Sequence, residues 1–206
     1  MSDYPAQFKS CGKDVRVDDG VHIEHPQAME VGDGVAFMRG FYMIGRPRLC
    51  RIGSGVRFFP NCFIQGSPQR FIVGDRVEFY PGTYISLGSG QTSAVEIGHH
   101  SHFAAGCALY GAGGLTIGAY CNVAAHVVLA TIGHRPEITD RPMALAGGMS
   151  GPIVLADDVW VGANATITPN TKIAKGCVIG AGAVVTRDTE PMGVYVGVPA
   201  RRLRDR

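Results

Sequence analysis

Imidazoles are the side chains best suited to moving protons near neutral pH, and this chain has seven: His22, His25, His99, His100, His102, His126 and His134. His99, His100 and His102 bunch together, which raises the question of a metal. Neither His-Glu-x-x-His nor His-x-x-x-x-His occurs, however, and the six cysteines include no Cys-x-x-Cys pair. No metal is expected. Nucleophilic serine is no better served, because Gly148-Met149-Ser150-Gly151 stops short of a Gly-x-Ser-x-Gly elbow. Gly111-Ala112-Gly113-Gly114 opens no helix and is not a dinucleotide fingerprint. His134 stands apart by position, near the root of a long interruption in an otherwise regular pattern.

That pattern is a six-residue repeat. Leu155, Val161, Ile167, Ile173, Ile179 and Val185 follow at steps of six, each from Val161 on preceded two residues earlier by a small side chain: Val159, Ala165, Thr171, Cys177, Ala183. A helix needs apolar spacings of three and four, and a long strand needs unbroken alternation. Brief alternation followed by a turn every six residues fits neither. It fits short strands joined by tight corners, three to a coil, in a triangular parallel β-solenoid. Upstream the same step gives Val31, Phe37 and Met43; Ile52, Phe58 and Ile64; Val73, Phe79 and Ile85; Ile97, Phe103 and Leu109; and Ile117, Val123 and Leu129. The expected architecture is therefore all-β, with about seven coils. Every inserted residue follows the third hexad of its coil, so all insertions leave from one corner. The register further predicts a stack of Phe37, Phe58, Phe79 and Phe103, one ring per coil. It places Cys50, Cys62, Cys107, Cys121 and Cys177 at the small inward position, as buried hydrophobes.

Composition agrees with this reading. Glycine is 29 of 206 residues, about twice its usual share, as frequent corners require, and charged residues are only 17 %. A hydrophobic fraction of 46 % excludes disorder. A net charge of +2 is too mild to argue for nucleic acid. No apolar run approaches the roughly 18 residues of a membrane helix. Residues 1–13 lack the apolar core of a signal peptide, so a cytoplasmic location is expected. Residues 1–206 read as a single solenoid domain. Residues 1–30 form an irregular lead-in with Val21 and Ile23 as a partial rung, and residues 187–206 form a cap ending in a short basic tail that could make one helical turn. From Leu129 to Leu155 the step is 26 instead of six, and about 20 of those residues, within 130–152, leave the solenoid as a loop stiffened by Pro136, Pro142 and Pro152. Loops of this length inside compact domains are usually functional.

These residues resemble the hexapeptide-repeat acetyltransferases, the group that includes maltose, galactoside and xenobiotic acetyltransferases and enzymes that decorate lipopolysaccharide and capsule sugars. The resemblance is carried by Gly133-His134 in the excursion, by Asp158-Val159-Trp160-Val161-Gly162, and by Gly197-Val198-Pro199-Ala200-Arg201. It implies a left-handed parallel β-helix, a homotrimer with sites between subunits, and acetyl-CoA as co-substrate with no metal. It implies His134 as general base for direct transfer to a hydroxyl of a sugar or saccharide. Trp160 matches the family tryptophan beside the active site; a packing residue on a rung's outer face is the alternative. Ala163, Ala181, Thr186 and Arg187 match positions that touch the pantetheine arm and nucleotide, and Arg201 and Arg204 match the cationic exit segment, although a solubilising tail would look the same. Some relatives carry an acceptor-binding Asn where this chain has Ala104, so the acceptor differs or is bound by other groups such as His102 or His126. Three other readings stay open: N-acetylation of an amino sugar, a carbonic-anhydrase-like metal hydratase on the same fold, and an inactive scaffold relative.

Overall fold

The computed structural model describes residues 4–206. Its strands lie on three parallel faces that the chain visits in strict rotation. The first face runs from Ser10–Cys11 to Thr171–Ile173, the second from Arg16–Val17 to Val178–Ile179, and the third from His22–Ile23 to Val184–Val185. Each face takes eight strands from this winding, which makes eight coils. Gly193–Val196 then extends the second face in parallel, and Arg201–Asp205 adds an antiparallel edge to it. The parallel solenoid expected from the hexads is present.

Two expectations are corrected at the ends. Residues 10–23 are a full first coil, not an irregular lead-in, so there are eight coils where about seven were expected. The basic tail is a strand, not a helical turn. Its shape comes from pairing with Val194 to Val196, because Arg201-Arg202-Leu203-Arg204-Asp205 has no strand alternation of its own.

The hexad works because one aliphatic per face points inward while the corner supplies a backbone kink. At the corner between the first and second faces, Gly34, Gly55, Arg76, His100, Tyr120, Asp158 and Gly176 share a positive φ of 55–70°. Each donates its N–H to a carbonyl in the preceding coil, which offsets the cost of that conformation for non-glycine residues. His100 and Tyr120 are therefore turn residues on adjacent rungs, with rings stacked at 5.1 Å.

Inside, Phe37, Phe58, Phe79 and Phe103 form the expected ladder. Ring centroids are 5.2, 5.0 and 5.1 Å apart and interplanar angles stay at 10° or below, close to the inter-strand spacing of about 4.8 Å. Phe8 closes the lower end, 5.9 Å from Phe37. Tyr4 fixes this plug by accepting the Ile23 N–H at 3.2 Å. The five cysteines at inward positions are buried, while Cys11 is exposed. Burial pushes the Cys50 and Cys62 thiols up to about 12 and those of Cys107 and Cys121 up to about 11. Thiolate, the reactive form, is therefore scarce in the core. Titration of the native protein with a thiol-reactive disulfide at pH 8 should find one thiol, Cys11, and denatured protein should show six. Fast reaction of more than one thiol in the native state would contradict the buried register.

Candidate functional site

The excursion leaves from the corner between the third and first faces, where the register placed it. It begins as a β-hairpin in which Ile132–His134 pairs antiparallel with Gly148–Ser150, His134 lying opposite Gly148. Its root is pinned by Thr131, which is fully buried. The Thr131 hydroxyl donates to the Tyr110 carbonyl at 2.6 Å and accepts the Gly113 N–H at 2.9 Å, and the Thr131 carbonyl accepts the Gly151 N–H at 2.9 Å. Only glycine fits at position 113, because a Cβ would stand 2.6 Å from the Thr131 carbonyl oxygen and 2.7 Å from the Gly151 nitrogen. His134 thus sits three residues from a locked anchor, on a paired strand rather than on a loose loop.

Between this hairpin and the third face lies a cleft of about 630 Å³ lined by Tyr110, Ala130, Ile132, Gly133, His134, Gly148, Met149 and Ser150. Its lining carries almost no side chain at Ala130, Gly133 and Gly148. The His134 ring is exposed and has no side-chain hydrogen bond among the described residues, so none of their carboxylates orients it. The excursion exposes Ile132, Met143, Leu145 and Met149, of which Ile132 and Met149 line the cleft with His134.

Trp160 lies elsewhere. It is 53 % exposed on the second face and borders a different cavity of about 540 Å³, with Tyr80, His102, Ala104, Asn122, Ala124, Asp158, Val178 and Arg206 among its lining residues. Ala163 and Ala181 stack at the corner between the second and third faces, where the Ala163 carbonyl accepts the Gly182 N–H at 2.8 Å. Thr186 and Arg187 are exposed at the opposite corner of the third face, just after Val184–Val185. Arg201 and Arg204 are exposed on the terminal strand and meet only backbone carbonyls next to them in sequence. Arg202 is instead tied to Glu190 and Asp205. The single chain therefore does not bring His134 and Trp160 to one cavity, and neither cavity contains Ala163, Ala181, Thr186, Arg187, Arg201 or Arg204.

Among the described residues no three His, Cys, Asp or Glu side chains converge to hold a metal ion. No helix is long and apolar enough to cross a membrane.

Comparison with known proteins finds the same repeat. The family model for the bacterial transferase hexapeptide (six repeats) matches residues 152–187. A chloramphenicol acetyltransferase from Agrobacterium fabrum is 34 % identical over 129 residues, covering 52 % of this chain and 62 % of that protein. The galactoside O-acetyltransferase of Escherichia coli is 37 % identical over 92 residues, 44 % of each chain. Over these stretches the chain is similar to hexapeptide-repeat acetyltransferases. It spans about half the length of the curated relatives it matches. Among solved structures, AntD from Bacillus cereus, an N-acyltransferase in complex with dTDP and coenzyme A, superimposes over 100 % of this chain and 90 % of its own with a TM-score of 0.58 at 19 % identity. The hexapeptide-repeat acetyltransferase VCA0836 from Vibrio cholerae, complexed with acetyl coenzyme A, covers 79 % of this chain and 70 % of its own, at 0.53 and 22 %. At these identities the two structures establish the shared fold. Within the family repeat matched here lie Trp160, Ala163, Ala181, Thr186 and Arg187; His134 precedes it.

On the second face, His102 has partners that were not singled out by sequence. Glu78, 9 % exposed, accepts from His102 Nδ1 at 2.9 Å and pairs with Arg57 at 3.1 Å. The signal was available: Arg57, Glu78, His102, Asn122 and Trp160 each directly precede an inward residue of the second face and so fall in one row.

Proposed function

We propose that this protein transfers an acetyl group from acetyl-CoA to a hydroxyl of a saccharide, with His134 as general base. The observation that carries this reading is the rigid placement of an exposed imidazole at the mouth of a cleft lined in part by small residues. The names of the matched relatives support acetyl transfer and an acceptor hydroxyl. His134 takes the proton of the acceptor hydroxyl as that oxygen attacks the thioester carbonyl. The C–S bond breaks, and the imidazolium returns its proton to the departing thiolate, so no covalent acyl-enzyme is needed. Alignment of the two substrates supplies the remaining acceleration.

The residues present fit the co-substrate. Ala163 and Ala181 let the amides of a pantetheine arm approach the backbone, and Arg187, Arg201 and Arg204 carry guanidinium groups with no carboxylate partner among the described residues, suited to phosphates. Because these residues and Trp160 share no cavity with His134 in one chain, the reading includes a homotrimer in which a neighbouring copy completes the site. The exposed Ile132, Met143, Leu145 and Met149 of the excursion favour such burial. The test is thiol release from acetyl-CoA over a panel of sugars, with wild type and His134→Ala. Acceptor-dependent release by wild type alone supports the reading; equal release by both overturns the role of His134. Release that requires an amino sugar replaces the hydroxyl acceptor with nitrogen.

A further inference from the structure

The third-face cleft holds a polar side chain to which the proposed mechanism gives no role. Of the residues that line the cleft, only Tyr110, His134 and Ser150 carry a side-chain hydrogen that can be donated. The chain has seven tyrosines. The hydroxyls of Tyr4, Tyr80, Tyr84 and Tyr195 hydrogen-bond to other groups of the chain. Tyr42 and Tyr120 are exposed, so water serves them. Tyr110 differs from all six. It is half-buried, and its hydroxyl has no hydrogen-bond partner among the described residues. A sheltered phenol ordinarily finds a partner, and what this one borders is the cleft that contains His134.

The rest of Tyr110 is fixed. It ends the strand Ala108–Tyr110, between Ser86 of the preceding coil and Ala130 of the next. Its carbonyl accepts twice from Thr131, from the hydroxyl at 2.6 Å and from the N–H at 3.2 Å. Its ring meets that of Tyr84 edge-on, with centroids 5.7 Å apart and planes at 62°. Tyr84 is held in turn by the side-chain amide of Gln65, which donates to its hydroxyl. The phenol therefore stands on a rung of the solenoid, whereas Ser150 is exposed on the hairpin. Thr131 roots the hairpin that carries His134 and also grips the Tyr110 backbone, so imidazole and phenol share one anchor.

Direct acyl transfer asks the protein for two groups. One is a base for the attacking hydroxyl. The other is a donor for the carbonyl oxygen, which takes up the C=O electron pair as the new C–O bond forms. His134 fills the first role, and its lone pair is committed to the acceptor's proton. A neutral phenol suits the second. It is a stronger donor than an aliphatic hydroxyl, it brings no charge into the cleft, and a donor fixed in advance costs no reorganisation during the reaction. We propose that the Tyr110 hydroxyl is a catalytic group of this cleft, donating a hydrogen bond to the thioester carbonyl oxygen as that atom becomes an oxyanion. The proposal rests on the acetyl-transfer reading. The phenol keeps its proton throughout. When the tetrahedral intermediate collapses, the C=O bond re-forms, the C–S bond breaks, and the departing sulfur takes its proton from His134.

The test is steady-state thiol release from acetyl-CoA by wild type, Tyr110→Phe, Ser150→Ala and His134→Ala. It is run with the sugar that wild type uses and again without sugar, where water is the acceptor. The water reaction reads the oxyanion donor whatever the sugar. Tyr110→Phe keeps the ring, its contact with Tyr84 and both bonds to the carbonyl, so melting temperature and circular dichroism should match wild type. Its kcat should fall about 10²–10³-fold with either acceptor, the usual loss for one oxyanion donor. The KM values should change little, because the bond is made in the transition state. The pH profile of kcat should keep its shape at the lower rate, because the base is intact. Ser150→Ala, which removes the other hydroxyl of the cleft, should lose far less. Wild-type kcat in Tyr110→Phe beside an impaired His134→Ala overturns the proposal and leaves the base in place. An impaired Tyr110→Phe beside an active His134→Ala overturns the base and supports the donor. A loss confined to the KM of the sugar makes Tyr110 a binding group, and a loss found in Ser150→Ala instead moves the donor to Ser150; either overturns the proposal. Wild type that releases no thiol with any sugar or with water overturns the acetyl-transfer reading and the proposal together.

Discussion

Replacing His134 by alanine is expected to lower kcat/KM for acetyl transfer by about 10²–10⁴-fold, the usual contribution of a positioned general base. That corresponds to roughly 3–5 kcal/mol of transition-state stabilisation. The fold should be untouched, because the ring makes no side-chain hydrogen bond in the described chain and the hairpin is held at Thr131, through Tyr110, Gly113 and Gly151. Melting temperature and circular dichroism should match wild type while thiol release falls. The loss should appear mainly in kcat, since a base acts on the proton in flight and contributes little to ground-state binding. A loss confined to the acceptor KM would make His134 a binding group instead.

Replacing Phe79 by alanine should have the largest effect on stability. Phe79 is fully buried and stacks on both sides, on Phe58 at 5.0 Å and on Phe103 at 5.1 Å. Truncating such a ring costs about 3–5 kcal/mol, part transfer and part cavity. The cavity cannot collapse easily, because the backbone rungs above and below are fixed by the ladder spacing. For a chain of this length each kcal/mol moves Tm by roughly 2–4 °C, so a fall on the order of 10 °C is expected by calorimetry. Phe8, which meets the stack on one side only at 5.9 Å, should cost less when truncated. A Phe79→Ala variant melting with wild type would mean that the ladder does not bear on stability.

The hexads were legible because a six-residue period is a geometric demand repeated on every face, and noise in one coil is corrected by its neighbours. Phe37, Phe58, Phe79 and Phe103 could be placed in one stack before any coordinates, as could the inward cysteines and the corner from which the excursion leaves. The first coil escaped for a specific reason. Its residues in register with Val31, Phe37 and Met43 are Cys11, Val17 and Ile23, six apart, but an exposed cysteine stands where later coils carry a buried branched aliphatic. The terminal strand escaped because pairing, not propensity, makes it. At the site, His134 was found by its place in the interruption. Glu78 and Arg57 were passed over as partners of His102 because no short motif joins residues 57, 78 and 102; only the coil period does. His99 and His100, which drew attention as a cluster, belong to the corner between the first and second faces, where backbone conformation explains His100.

The central claim is that the third-face cleft holds His134 where a thioester and a nucleophilic oxygen meet. A crystal structure with coenzyme A bound tests it most directly. The account predicts the pantetheine arm along the third face or between that face and a neighbouring copy, with the sulfur close enough to His134 that an acceptor oxygen can sit within about 3 Å of the ring nitrogen. Coenzyme A bound with its sulfur remote from every copy of His134 would contradict it.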